Sequence, residues 1–399
     1  MGRRGITERL VESASSVQQW GSTEEKRLTK KESAGSAPTD MARQLSEAIS
    51  DVFAVEQVTT GLGDGRAIRL QGQLLTDSGQ AYAYIAARFN ESGYTPLLHQ
   101  KAGHVLVTAI PVIFAAKPSR DYGAILLFAL TVLSMLFAGA LPQAADLHWL
   151  LRHPLSGLPF AAGLLGILVA HELGHYFMAR RLGVAASLPY FIPMPLSPFG
   201  TMGAIIRTRA PMRNRRQMLA IGAAGPLAGL AVAVPVLILG LMRSQVQPIP
   251  MQEGLVMEGN SLLYAALKFL VFGQFLPRNG YDVFLHPLAF AGWAGLLVTM
   301  LNLIPAGQLD GGHIAYALFG EKARWLNRLA AIGTMALGVV YWNLGWLIWA
   351  AILLLLGQRN AIPLDDITPL TPRQQLLAVG MLVIFVLLFT PVPLTEFSP

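Results

Sequence analysis

No cysteine occurs anywhere in the 399 residues. Disulfides, thiolate nucleophiles and thiolate metal ligands are thereby excluded, and histidine, aspartate and glutamate are left as the strong ligands. Charge is scarce too: 13% of residues are charged, against about a quarter in soluble domains. With 53% hydrophobic residues and a mean hydropathy of +0.48, the composition is that of an integral membrane protein embedded in a lipid bilayer. The net charge of +7 comes without any nucleic-acid-binding motif. The basic residues therefore read as topology signals at helix ends, and no nucleic-acid partner is expected. Nor does an apolar segment open the chain. Residues 1–40 are polar, Ser-rich and charged, so no secretory signal is expected and the N-terminus is expected in the cytoplasm.

The chain divides by composition. Residues 1–40 offer too little apolar surface to offset chain entropy and are expected to be a disordered tail. Residues 41–119 read as a small soluble α+β domain: a helix around Met41 to Phe53, a strand over Arg66 to Leu75, a helix over Ala81 to Asn90, and strands over Thr95 to Gln100 and His104 to Ile110 around a tight Lys101-Ala102-Gly103 turn. Beyond Arg120 apolar runs follow near 122–141, 158–179, 217–242, 287–304, 324–341, 343–357 and 374–393. The expected fold is an α-helical polytopic membrane protein with about six transmembrane helices, 343–357 pairing with 324–341 as a hairpin or lying re-entrant. A membrane core over 120–320 and C-terminal transmembrane helices over 321–399 complete the organisation.

Between the second and third spans lie Arg180, Arg181, Arg207, Arg209, Arg213, Arg215 and Arg216 with no acidic residue among them, which assigns that connection to the cytoplasm. Residues 182–206 are too broken by Pro and Gly to span and too apolar for an ordinary loop, so extended or re-entrant structure is expected. Gly200 to Arg209 alternates like a strand, whose free edge could take an extended substrate by strand addition.

Within the 158–179 run stands His171-Glu172-Leu173-Gly174-His175. Residues four apart on a helix lie about 40° apart around its axis, so both imidazoles can reach one ion while Glu172 projects toward a water beside them. This is the arrangement of a metal-dependent hydrolase. A carboxylate in an apolar span is costly unless it has a task, and Glu172 is the only acidic residue between Asp146 and Glu253. Catalytic zinc sites usually have three protein ligands, so a third is needed; Asp282, His286, Asp310, His313 and the acidic residues of the soluble parts are the candidates. Asp310 stands out because it follows the 287–304 span at the same membrane level, after Pro305 and Gly307 break the helix, and precedes Gly311-Gly312, which permits close backbone approach. His99, His104, His148 and His153 read as strand or loop residues.

HELGH at 171–175, the Asn302 to Gly312 stretch with its N-x-x-P and L-D-G elements, and Gly225-Pro226 between them resemble the site-2 proteases, the intramembrane zinc metalloproteases of the peptidase M50 type. The resemblance covers about Tyr122 to Gly320. It implies that His171, His175 and Asp310 bind one zinc ion, that Glu172 is general base and acid, and that Asn302 positions the scissile carbonyl or its oxyanion. The implied function is hydrolysis of peptide bonds in or near transmembrane segments of a protein substrate. The alternative is a membrane metal transporter using the same cluster as a transit site. The Arg243 to His286 loop is too short for the PDZ domain many bacterial members carry. A bacterial inner membrane, with the active site toward the cytoplasmic side, is the expected location.

Overall fold

The computed structural model describes residues 36–62, 65–114, 122–206, 208, 210–250, 256–356 and 361–396. The tail expected over 1–40 thus lies almost wholly outside the described residues, as do Arg207 and Arg209. The chain is mostly helical, with an N-terminal α/β region, and forms two compact units.

The first unit contains α1 (Ser36–Ala48), β1 (Phe53–Leu62), β2 (Ala67–Leu74), α2 (Ser78–Glu91), β3 (Thr95–Lys101) and β4 (His104–Ile110). Its antiparallel sheet has the order β1-β2-β4-β3. Asp77 starts α2 by accepting from the Gly79 and Gln80 N–H groups, as N-cap carboxylates do. Ala81, Tyr82, Ile85 and Phe89 then fall on one helical stripe and are buried against Phe53, Ile68, Leu70, Leu98 and Val107 of the strands. The turn after β3 holds Ala102 at φ 50° and Gly103 at φ 85°, the left-handed pair that two-residue hairpins require. The helix expected over Met41 to Phe53 ends at Ala48, and Phe53 already opens β1. Most of that strand is exposed and its apolar residues do not alternate, so no period of two marks it in the sequence.

Two distant stretches, Pro211–Arg216 and Ala361–Pro369, belong to the same unit. The Leu98 N–H donates to the Leu364 carbonyl at 2.7 Å and the Asp366 N–H to the Leu98 carbonyl at 3.0 Å, so this stretch pairs in parallel with the outer edge of β3. Beyond it, Leu364 N–H donates to Met212 O at 3.0 Å and Asp365 N–H to Arg213 O at 2.7 Å. The Asp365 side chain is fully buried, and its carboxylate accepts from the Ile367 and Thr368 N–H groups and the Thr368 hydroxyl. The Arg213 guanidinium lies 5.2 Å from the centre of the Tyr82 ring and donates to Gly79 O at 3.3 Å. Burial pushes the Tyr82 phenol above its ordinary pKa, the Arg213 charge opposing.

Among the described residues, three helices are long and apolar enough to cross a membrane: Tyr122–Gln143, Leu158–Arg181 and Arg215–Leu241. They contain α3 (Tyr122–Ala140), α4 (Leu158–Arg181) and α5 (Arg215–Leu241), the last beginning in the first unit. Further helices are α6 (Leu262–Phe272), α7 (Pro287–Asn302), α8 (Asp310–Phe319), α9 (Ala323–Val340), α10 (Leu344–Leu356) and α11 (Pro372–Leu388). α9 and α10 pack side by side as a hairpin, with Leu347 seated against Gly338. Residues 182–206 form a short hairpin of β5 (Tyr190–Pro193) and β6 (Thr201–Ile205), held to α3 by the Ser134 hydroxyl donating to Gly200 O at 2.6 Å and by Phe128 edge-on to Phe191. Leu164, Ile167 and Leu168 of α4, Leu219 and Leu237 of α5, and Trp293, Leu296 and Met300 of α7 are the buried apolar frame around the histidines.

Replacing Asp365 by Ala removes the acceptor for three donors and costs about 2 kcal/mol locally. The expected outcome is faster hydrogen exchange at the Leu98 amide of the full chain, by roughly 30-fold at that cost. Unchanged exchange at Leu98 would contradict the edge pairing.

Candidate metal centre

Helix α4 starts at Leu158 with Pro159 in its first turn, where a missing N–H costs nothing, and ends on Arg180 and Arg181, whose charge suits a helix C-terminus. Its length and apolar composition place His171 and His175 one turn apart in the helix body. Their Nε2 atoms are 3.2 Å apart. Asp310 reaches them by a different route. α7 stops at Asn302, Gly307 adopts φ 57° in the bent segment after Pro305, and α8 begins with Asp310 itself. A negative charge is favoured in that first turn. Gly311 makes the bend possible, since a Cβ there would lie 2.0 Å from Leu303 O.

Asp310 Oδ2 stands 3.2 Å from His171 Nε2 and 3.2 Å from His175 Nε2. Two nitrogens and one oxygen thus occupy the corners of a nearly equilateral triangle, and His171 is only 3% exposed. Zinc bound tetrahedrally at about 2.0–2.1 Å separates its ligands by roughly 3.3 Å. The triangle matches three corners of that tetrahedron, and the donor set of two imidazoles and a carboxylate suits zinc. Among the described residues these three form the single such group.

The opposing wall is α5. His175 Nδ1 lies 2.7 Å from the Ile221 carbonyl, which can only accept, so Nδ1 carries a proton and Nε2 is the ring nitrogen turned to the centre. Gly225 sits against the same ring: an added Cβ would lie 2.0 Å from His175 Nε2. Pro226 has no N–H for the Gly222 carbonyl one turn back, which loosens the helix at this level. Nothing in the sequence marks Ile221. A Gly-Pro pair inside a span was the available signal, but which carbonyl it would present depends on how α5 meets α4.

Glu172 is 7% exposed and feels both imidazoles and the Asp310 charge. Asn302 closes α7 just before the break and is not one of the three gathered residues. The other candidate ligands lie elsewhere. His286 caps the far end of α7 by accepting from Leu288 N–H, and Asp282 pairs with the buried Lys268 at 3.5 Å. His313, one turn beyond Asp310, is packed beside Gly222, and its Nδ1 has no hydrogen-bond partner among the described residues. Gly225→Ala is expected to weaken zinc binding by about 10–100-fold, the usual effect of disturbing a ligand's support. Competition titration with a chromophoric chelator, on protein checked for folding by circular dichroism, measures it; unchanged affinity would remove α5 from the centre.

Residues 159–342 match the profile of peptidase family M50. Over 294 residues the chain is 32% identical to a probable zinc metalloprotease, EGY2, chloroplastic, of Arabidopsis thaliana, covering 72% of this chain and 50% of that protein. The protein of the same name from Oryza sativa subsp. indica is 31% identical over 308 residues, with 73% and 53% covered. Probable zinc metalloprotease EGY1, chloroplastic, of Arabidopsis thaliana is 33% identical over 242 residues, with 59% and 43% covered. The chain spans about half the length of the curated relatives it matches. Their names place those proteins in chloroplasts, which lends no support to the expected bacterial inner membrane. No solved structure matches the chain significantly. By the profile and these relatives, the chain belongs over residues 159–342 to peptidase family M50, the family of the site-2 proteases.

Proposed function

We propose that this protein is an intramembrane zinc endopeptidase that hydrolyses peptide bonds in or near transmembrane segments of membrane proteins. The observation that carries the reading is the 3.2 Å triangle of His171 Nε2, His175 Nε2 and Asp310 Oδ2 at the break between α7 and α8. These three residues hold the metal. Zinc bound there supplies acidification of water and polarisation of a carbonyl. Glu172, next to His171 on the same helix and shielded from solvent, takes a proton from the attacking water and returns it to the leaving amine. Asn302 positions the scissile carbonyl or its oxyanion from the end of α7.

In this reading α7, α11 and the α9–α10 hairpin add to the three long helices to give about six crossings, the shorter ones completed by their flanking loops. The arginine-rich connection before α5 faces the cytoplasm and carries the centre toward that side. A substrate helix hides its carbonyls in its own hydrogen bonds, so it is unwound before cleavage. The β5–β6 hairpin offers the unwound segment an edge for strand addition.

A metal transporter would use further ligands at successive depths. Among the described residues no second cluster of three such side chains exists, which favours hydrolysis at one fixed centre.

Glu172→Gln in the full chain reconstituted in vesicles with single-span model peptides is expected to abolish cleavage while leaving one zinc per chain. A fully active variant would overturn the role of Glu172, and zinc flux into the vesicles without any proteolysis would favour the transporter. Proline at Ala204 or Ile206 is expected to raise KM several-fold with metal content unchanged; wild-type KM in both would rule out strand addition.

A further inference from the structure

Helix α9 buries one stripe, through Ala323, Asn327, Thr334 and Gly338, and leaves another exposed. The exposed stripe begins with Arg324 and Arg328 and continues with Ile332, Met335 and Val339, at the three- and four-residue spacing of a single helix face. Its apolar part is one wall of a groove of about 470 Å³, lined by Ala331, Ile332, Met335, Val339 and Val340 of α9 and by Leu354 of α10. The lining is wholly apolar. From Ala331 to Val340 the groove runs about 14 Å by helical rise, close to half of a ~30 Å hydrocarbon core. That reach suits one acyl chain of one leaflet; a transmembrane helix would cross both.

The groove opens one turn beyond Arg328. Residues 321–328 hold three bases, Lys322, Arg324 and Arg328, against the single acid Glu321. Among the described residues neither Arg324 nor Arg328 has a carboxylate partner, and Glu321 is exposed. The positive end of the α9 dipole adds to their field. The Arg328 guanidinium lies 4.8 Å from the centre of the Trp325 ring, itself 57% exposed. Tryptophan favours the membrane–water boundary, and paired guanidinia match phosphate geometry. Side chains on a helix lean toward its N-terminus, so both arginines extend away from the apolar groove toward headgroup depth.

Resting on the reading above, in which the α9–α10 hairpin crosses the bilayer and α9 starts on the cytoplasmic side, we propose that Arg324, Arg328 and the groove beyond them bind one anionic glycerophospholipid of the cytoplasmic leaflet. Its phosphate meets the two guanidinia and one acyl chain lies along Ile332, Met335 and Val339. Basic clusters beside apolar clefts at the cytoplasmic ends of membrane helices recognise such headgroups. A topology signal requires only basic residues near a helix end. It supplies no reason for them to fall on the stripe that leads into a groove.

The test places the full chain in nanodiscs of phosphatidylcholine with phosphatidylglycerol as the minor lipid and counts the lipid retained per chain by native mass spectrometry. The wild type is expected to keep phosphatidylglycerol in preference to phosphatidylcholine. Replacing both Arg324 and Arg328 by Ala is expected to lower that preference about 30-fold, the effect of two basic residues near an anionic surface, and replacing both by Lys to keep most of it. Ala336→Trp, which fills the groove with both arginines intact, is expected to lower retention several-fold. Equal retention of the two lipids by the wild type, an unchanged preference without the arginines, or full retention in Ala336→Trp would overturn the proposal. So would displacement of the lipid by glycerol 1-phosphate, which has the headgroup charge and no chain. Because the chain has no cysteine, Arg324→Cys with an impermeant maleimide in sealed vesicles reports the side on which α9 starts. Labelling from the extracytoplasmic side alone would refute the placement of α9 and the lipid site with it, whereas cytoplasmic labelling beside absent lipid preference sinks the lipid site and leaves the placement standing.

Discussion

Two imidazole nitrogens and a carboxylate oxygen held 3.2 Å from one another among apolar helices impose the strictest demand in this molecule. Such a set is unfavourable to bury on its own and becomes favourable around a divalent cation, because metal coordination repays the desolvation of the carboxylate. The rest of the membrane unit can be understood as meeting that demand. α4 delivers two of the three donor atoms by its periodicity, the break after Asn302 delivers the third, and α5 closes the arrangement from behind through Ile221 and Gly225.

Each of those contributions uses a different local device. The histidine pair relies on nothing more than one helical turn. Asp310 needs a helix to stop, bend through Gly307 and restart, with Gly311 tolerating backbone contact that any Cβ would forbid. The α5 wall needs a residue without a side chain opposite His175 and a proline that frees the helix to present a carbonyl. Small residues and irregular backbone lie at the level of the histidines because irregular backbone is tolerated in a membrane protein only where protein or a cavity surrounds it.

The first unit follows another logic. Its four-stranded sheet does not end at β3 but is continued by 364–366 and 212–214, stretches that lead into α11 and α5. Asp365, with three donors on its buried carboxylate, shapes the turn that makes the inserted stretch fit.

Much of this was legible in the residues. Membrane character, the α4 ligand pair and the broken helix before Asp310 rest on short-range physics: composition, a period of 3.6, and the conformational limits of Pro and Gly. The β3–β4 hairpin was equally plain, since its turn pair and its two apolar strands are contiguous. The largely exposed β1 carried no such mark. By itself the sequence determined which side chains could do chemistry and where the helix before Asp310 would break. Only the tertiary structure decided that Asp310, not Asp282, His286 or His313, closes the triangle, that Ile221 orients His175, and that two distant stretches complete the sheet of the first unit. Those outcomes depend on contacts between segments tens to hundreds of residues apart, whose register is set by packing and leaves no periodic trace in the chain.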